Sequence, residues 1–161
     1  MDYVFSPWRY RYLAAPPDPA GACVLCAELA LGDDAAALVV ARARHNAIML
    51  NRFPYTSGHL MILPYRHAAR LEACEPEARA EMMELAARAE TVLTAAYRPH
   101  GLNLGLNLGE AAGAGIAGHL HLHVVPRWIG DANFMTVVGE TRVLPEALDT
   151  TYRRLRPAFG S

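Results

Sequence analysis

The stretch His119-Leu120-His121-Leu122-His123-Val124-Val125 alternates between imidazole and aliphatic side chains with a period of two. That period belongs to a β-strand, with Leu120, Leu122 and Val124 on one face and three histidines on the other. The run before it, Gly101-Leu102-Asn103-Leu104-Gly105-Leu106-Asn107-Leu108, has the same rhythm. Four leucines line one side, and Asn103, Gly105 and Asn107 the other. Paired antiparallel, the two strands are expected to put Asn107 and the histidines on one exposed face above a leucine core. The linking segment, residues 109–118, contains four glycines and can bring bare backbone amides close to a ligand.

Working outward, Leu38-Val39-Val40-Ala41-Arg42 and Ala47-Ile48-Met49-Leu50-Asn51 flank Arg44-His45-Asn46 and read as a hairpin. A third strand, Leu60-Met61-Ile62-Leu63, follows the turn Tyr55-Thr56-Ser57-Gly58 and stops at Pro64. Pro76 with Glu77 beside it suits a helix N-terminus, and Met82, Leu85, Ala89, Val92 and Ala96 mark one face at helical spacing. Pro99 and Gly101 end that helix. A last short helix is expected between Leu144 and Leu155. Strands, one long helix and more strands make an α+β chain.

At 161 residues this is the size of one domain. Residues 1–22 read as an arm packed on a core of residues 23–128, and residues 129–161 as a C-terminal extension. The formal net charge is −1, and all 15 basic residues are arginines scattered among acids, which argues against nucleic-acid binding. No stretch approaches the ~20 apolar residues of a membrane span. The first residues lack the charged start and apolar core of a secretion signal, so a soluble cytoplasmic protein is expected. Three cysteines cannot all pair with one another. Cys23-Val24-Leu25-Cys26 reads as a metal or redox pair, and Cys74 as a small buried apolar side chain.

Three histidines on one strand face make poor packing residues, because their ring nitrogens compete for the same partners. Two or three histidines at spacing two can also ligate a catalytic zinc, which the triplet alone leaves open. The company favours phosphate chemistry: a glycine-rich segment just before, Asn107 opposite, and Thr56-Ser57-Gly58-His59 at another strand start. A neutral imidazole is a competent nucleophile near pH 7, and its neighbours can stabilise phosphoryl oxygens during in-line displacement.

These residues resemble the histidine triad (HIT) family. The triplet ending in Val124-Val125 matches its signature, Asn51 lies eight residues before His59, and Asn107-x-Gly109-Glu110 precedes the glycine-rich loop. The resemblance spans roughly residues 23–128. It implies the HIT-like fold, an antiparallel sheet of about five strands with one long helix and a short C-terminal helix. By the same resemblance His121 is the nucleophile that forms a nucleotidyl-histidine at the α-phosphorus, with its other ring nitrogen held by a backbone carbonyl. His123 and His59 contact the phosphate and assist the leaving group. Asn51 stands where the family binds ribose hydroxyls, and Asn107 binds a phosphate oxygen. Met49, Leu50 and Met61 line the base pocket or serve only as core.

The loop is one residue longer than in commoner branches of the family, and Ala114-Gly115 replace a polar pair, leaving the amides of Gly113 and Gly115 to cradle phosphate. Family members with a Cys-x-x-Cys pair complete a structural zinc site with two histidines, here His67 and His119 beside Cys23 and Cys26. Pro126-Arg127-Trp128, the segment after it and Ser6-Pro7-Trp8-Arg9 are similar to the diadenosine tetraphosphate (Ap4A) phosphorylase-like branch. Like the fragile-histidine-type hydrolases, that branch acts on dinucleoside polyphosphates. Trp128 is expected to stack on adenine or to bury a subunit contact, and the family's usual homodimer is expected. A nucleoside phosphoramidase and a non-catalytic nucleotide-binding module are the competing readings.

Overall fold

The structure, a computed structural model, describes residues 23–131 and 146–160. The readings made for the 1–22 arm and for residues 132–145 fall outside the described residues. Five strands form one antiparallel sheet in the order β1-β2-β3-β5-β4, namely β1 Val39–Arg42, β2 Asn46–Leu50, β3 Leu60–Pro64, β4 Gly101–Leu106 and β5 Leu122–Arg127. Three helices accompany them: α1 Val24–Ala30, α2 Pro76–Tyr97 and α3 Leu148–Ala158. The α+β expectation and the strand count hold. Strand β5 starts at Leu122 rather than His119, and α3 runs a few residues later than the sequence suggested. Helix α1 was not foreseen, although Leu25 and Leu29 at spacing four both bury.

Alternation along the strands builds two separate cores. Val40, Ile48, Leu50, Leu60, Ile62, Leu122 and Val124 point to the layer made by α2 and α3. Val39, Ala47, Met49, Met61 and Leu63 point the other way, against Leu25 and Leu29 of α1. Because both faces are covered, every residue of β2 and β3 is buried. Each fully buried Leu or Ile there stabilises the fold by about 1.5–3 kcal/mol.

Helix α2 ends where Pro99 disfavours a further helical turn, and Arg98 caps it in the left-handed region at φ 48°. Near its start, Glu81 accepts the backbone N–H groups of Arg44 (3.0 Å) and His45 (2.8 Å) and the amide of Asn46 (2.8 Å). This ties the β1–β2 turn to the helix. Cys74 is buried in the α2-side core, as expected.

Candidate active site and metal cluster

The register of the central strands assembles the site. Met61 of β3 and Gly105 of β4 flank His123 of β5, and Leu106 pairs with Leu122, so Asn107 arrives beside His121. The histidines do share one face of the sheet, but it is not an open one: His59, His119 and His121 are 1%, 0% and 6% exposed. Helix α1 and the loop through Ile116 cover this side of the sheet, which the strand pattern alone did not reveal.

Hydrogen bonds assign a role to nearly every ring nitrogen. His121 donates Nδ1–H to the carbonyl of His119 at 2.8 Å, which leaves its Nε2 lone pair free. The backbone N–H of Tyr55 donates to Nδ1 of His59 at 3.1 Å, so the His59 proton sits on Nε2. That proton points at Nδ1 of His123, 2.9 Å away, and forces the His123 proton onto its own Nε2. His121 and His123 meet edge to face, with centroids 4.8 Å apart. Burial, with a smaller contribution from the neighbouring His121 ring, pushes His123 down to about 4, so it is neutral at physiological pH.

This layout corrects several expectations. His59 lies behind His123 with both ring nitrogens engaged, so it reaches substrate only through His123. Leu50 packs in the α2-side core, the opposite face from His123, and is excluded from a base pocket there, whereas Met49 and Met61 lie on the histidine side. The Gly113 N–H is already donated to the Glu110 carbonyl at 2.8 Å, which removes it from a phosphate cradle; Gly115 is exposed. Trp128 follows directly on the end of β5 and is partly buried, which leaves both of its expected roles open. Asn51 accepts the N–H of Phe53 on its side-chain oxygen at 2.9 Å.

The second cluster sits against the first. The ligand atoms of Cys23, Cys26, His67 and His119 all lie within 4.8 Å of one another, a group able to hold a metal ion. Nδ1 of His119 is 3.3 Å from the Cys23 sulfur and 3.4 Å from that of Cys26, and Nδ1 of His67 is 3.4 Å from Cys26. Nε2–H of His119 donates to the Pro64 carbonyl at 2.9 Å, which turns the Nδ1 lone pair toward the sulfurs. His119 therefore serves both clusters.

The HIT domain family model matches residues 33–128. The chain belongs to the HIT family. A HIT relative from Mycobacterium tuberculosis, named AP-4-A phosphorylase, is 44% identical over 161 aligned residues, which cover 96% of this chain and 83% of the relative. The bis(5'-nucleosyl)-tetraphosphatase (asymmetrical) of Schizosaccharomyces pombe is 26% identical over 86 residues, 53% of this chain and 47% of that protein. Among solved HIT structures, a zinc-bound histidine triad family protein from Mycobacterium smegmatis superposes with a TM-score of 0.69 at 29% identity, covering 86% of this chain and 93% of that one.

Proposed function

We propose that this HIT enzyme cleaves dinucleoside polyphosphates of the Ap4A kind at an α-phosphorus through a nucleotidyl-His121 intermediate, which phosphate or water then resolves. The observation that carries the reading is the 2.8 Å bond from Nδ1–H of His121 to the His119 carbonyl, which presents Nε2 as a fixed, unprotonated nucleophile. The names of the relatives from M. tuberculosis and S. pombe supply the substrate class.

Nε2 of His121 forms a bond to the α-phosphorus while the P–O bond to the rest of the polyphosphate breaks. The released chain departs as a phosphate anion and needs no proton. A neutral His123 suits that task, since its Nε2–H can hydrogen-bond the departing oxygens without giving up the proton. An amine leaving group must take a proton, which a neutral imidazole does not readily release, so a neutral His123 suits the polyphosphate better than the phosphoramidate. His59 sets the His123 tautomer. Asn51 is assigned to the ribose hydroxyls, Asn107 and the Gly115 amide to phosphate oxygens, and Met49 and Met61 to the base pocket.

We assign zinc to the Cys23, Cys26, His67 and His119 cluster. Tetrahedral zinc with bonds of about 2.3 Å to sulfur and about 2.0 Å to nitrogen has S···N edges of about 3.5 Å, and the distances here are 3.3–3.4 Å. Four protein ligands close such a site, so its contribution is structural: it would join α1 to the loop carrying His119. Unpaired cysteines suit a reducing cytoplasm. No described helix is long and apolar enough to cross a membrane. Strand β4 is an edge strand with exposed Leu104, which fits the homodimer expected for the family.

Incubation with Ap4A, with and without phosphate, tests the reading. Phosphate-dependent ADP identifies a phosphorylase, and AMP plus ATP without phosphate a hydrolase. No turnover of Ap4A would overturn the proposal. The variant His121→Asn should lose at least about 1000-fold in kcat, roughly 4 kcal/mol of barrier, while still binding nucleotide.

A further inference from the structure

Tyr55 carries no catalytic signature in the sequence, yet its ring lies against both members of the His59–His123 pair, of which His59 is buried and His123 partly exposed. Its ring centroid is 4.7 Å from that of His59 and 6.0 Å from that of His123, and it lies within 27° of parallel to the latter. Its backbone N–H fixes the His59 tautomer. Tyr55 itself is 45% exposed. It therefore forms the wall between water and the His59–His123 pair on that side.

We propose that Tyr55 is a specificity-determining residue whose ring, by covering one side of the His59–His123 pair against water, favours leaving groups that depart as phosphate anions over amines that require a proton. The inference rests on the polyphosphate-cleaving reading given above. In both reactions Nε2 of His121 bonds to the α-phosphorus. With a polyphosphate the P–O bond breaks and its electron pair stays on a phosphate oxygen. With an amidate the P–N bond breaks and the nitrogen must gain a proton, for which His123 has to be an imidazolium that returns to neutral imidazole.

What surrounds His123 fits this selection. On the β3 side it meets His59 and Met61, on the β4 side Gly105 with no side chain, on its own strand His121, and from the loop Tyr55. No described carboxylate contributes to its charge state, so burial is the leading cause that keeps it neutral. Removing the ring admits water, and water stabilises the imidazolium.

The test compares wild type, Tyr55→Ala and Tyr55→Phe at pH 6, measuring kcat/KM for Ap4A and for an alkyl phosphoramidate of AMP, with His123 followed by NMR titration. In Tyr55→Ala the His123 midpoint should rise by at least one unit from about 4, and the ratio of Ap4A to amidate activity should fall about tenfold, the change in protonated fraction that one unit brings. Tyr55→Phe keeps the cover and should hold both values. If Tyr55→Ala does not fold, Tyr55→Gln, which sets a polar group against the imidazoles, provides the same comparison. An unchanged ratio and midpoint in a wild type that cleaves Ap4A overturn the role of Tyr55 alone. A wild type that cleaves neither substrate overturns the functional reading beneath it.

Discussion

His119 grips His121 with its main chain and the two cysteines with its ring: its carbonyl accepts the nucleophile's Nδ1–H at 2.8 Å, and its Nδ1 lies 3.3 Å from the Cys23 sulfur. An ion held by the second cluster would thus fix the position of the first. Stripping metal with a chelator should lower both the melting temperature and kcat, the latter by roughly tenfold, with KM little changed, as for groups that orient a reacting residue from behind. Restoring zinc should restore both. Protein purified without chelator that holds no zinc, or whose kcat ignores its removal, would contradict this.

The neutral state of His123 makes stability depend on pH. Its folded value is about 4, below the ordinary value near 6.5 expected when unfolded, so between these limits the unfolded chain binds a proton that the native one does not. Its contribution is complete above pH 6.5 and is lost as the pH falls from about 6.5 to about 4. The shift alone corresponds to roughly 3 kcal/mol, which solvent screening of a partly exposed ring reduces to about 1 kcal/mol. Burial lowers His119 as well, in the same sense. Urea denaturation of wild type and His123→Gln between pH 7.5 and 4.5 should give curves that converge on the acid side. Parallel curves would refute the assignment.

Period-two alternation made β4 and β5 legible and short apolar runs between turn residues marked β1 to β3, but the leucine face expected of β4 is only partly core, since Leu104 on that edge strand and Leu108 just past it are both 45% exposed. Alternation could not show what lay over the histidines. Helix α1 is short, follows the N-cap residue Cys23, which makes no capping side-chain bond, and has only Leu25 and Leu29 to announce its buried face. Nor could it distinguish Leu50 from Met49: both are apolar neighbours on a strand buried on both faces, and only the register with β3 decides which points at His123. The metal ligands were found because their chemistry is restrictive. Tyr55 was missed because its role depends on where a loop lays an ordinary aromatic ring.

The placement of Leu50 separates core from pocket. Leu50→Ala should cost about 3 kcal/mol through the cavity it leaves beneath α2, with KM of the folded fraction unchanged. Met61→Ala, on the histidine side, should instead raise KM for nucleotide. Chemical denaturation and steady-state kinetics on both variants decide the matter. A raised KM in Leu50→Ala would return that residue to the pocket.

Gly58 bears on the site from below, where the loop carrying Tyr55 crosses α2 and turns into His59. It has φ +80°, and a Cβ there would lie 3.0 Å from Cε2 of Tyr97 and 3.1 Å from Cδ2 of Leu93. Neither neighbour gives way easily. Leu93 is fully buried, and the Tyr97 hydroxyl donates to Glu146 at 2.8 Å while Arg154 sits 5.0 Å above its ring. Burial and the Glu146 bond push the Tyr97 phenol up to about 12, so it keeps that proton under ordinary conditions. Gly58→Ala therefore combines a left-handed backbone penalty of about 1 kcal/mol with crowding of similar size. Together these should lower the melting temperature by roughly 4–8 °C for a domain of this length. Adding Tyr97→Leu to Gly58→Ala should relieve the crowding but leave the backbone penalty, so calorimetry of the double variant, measured against Tyr97→Leu alone, should show about half the loss. A double variant as unstable as the sum of the two single changes would mean that the close approach to Tyr97 plays no part in the requirement for glycine.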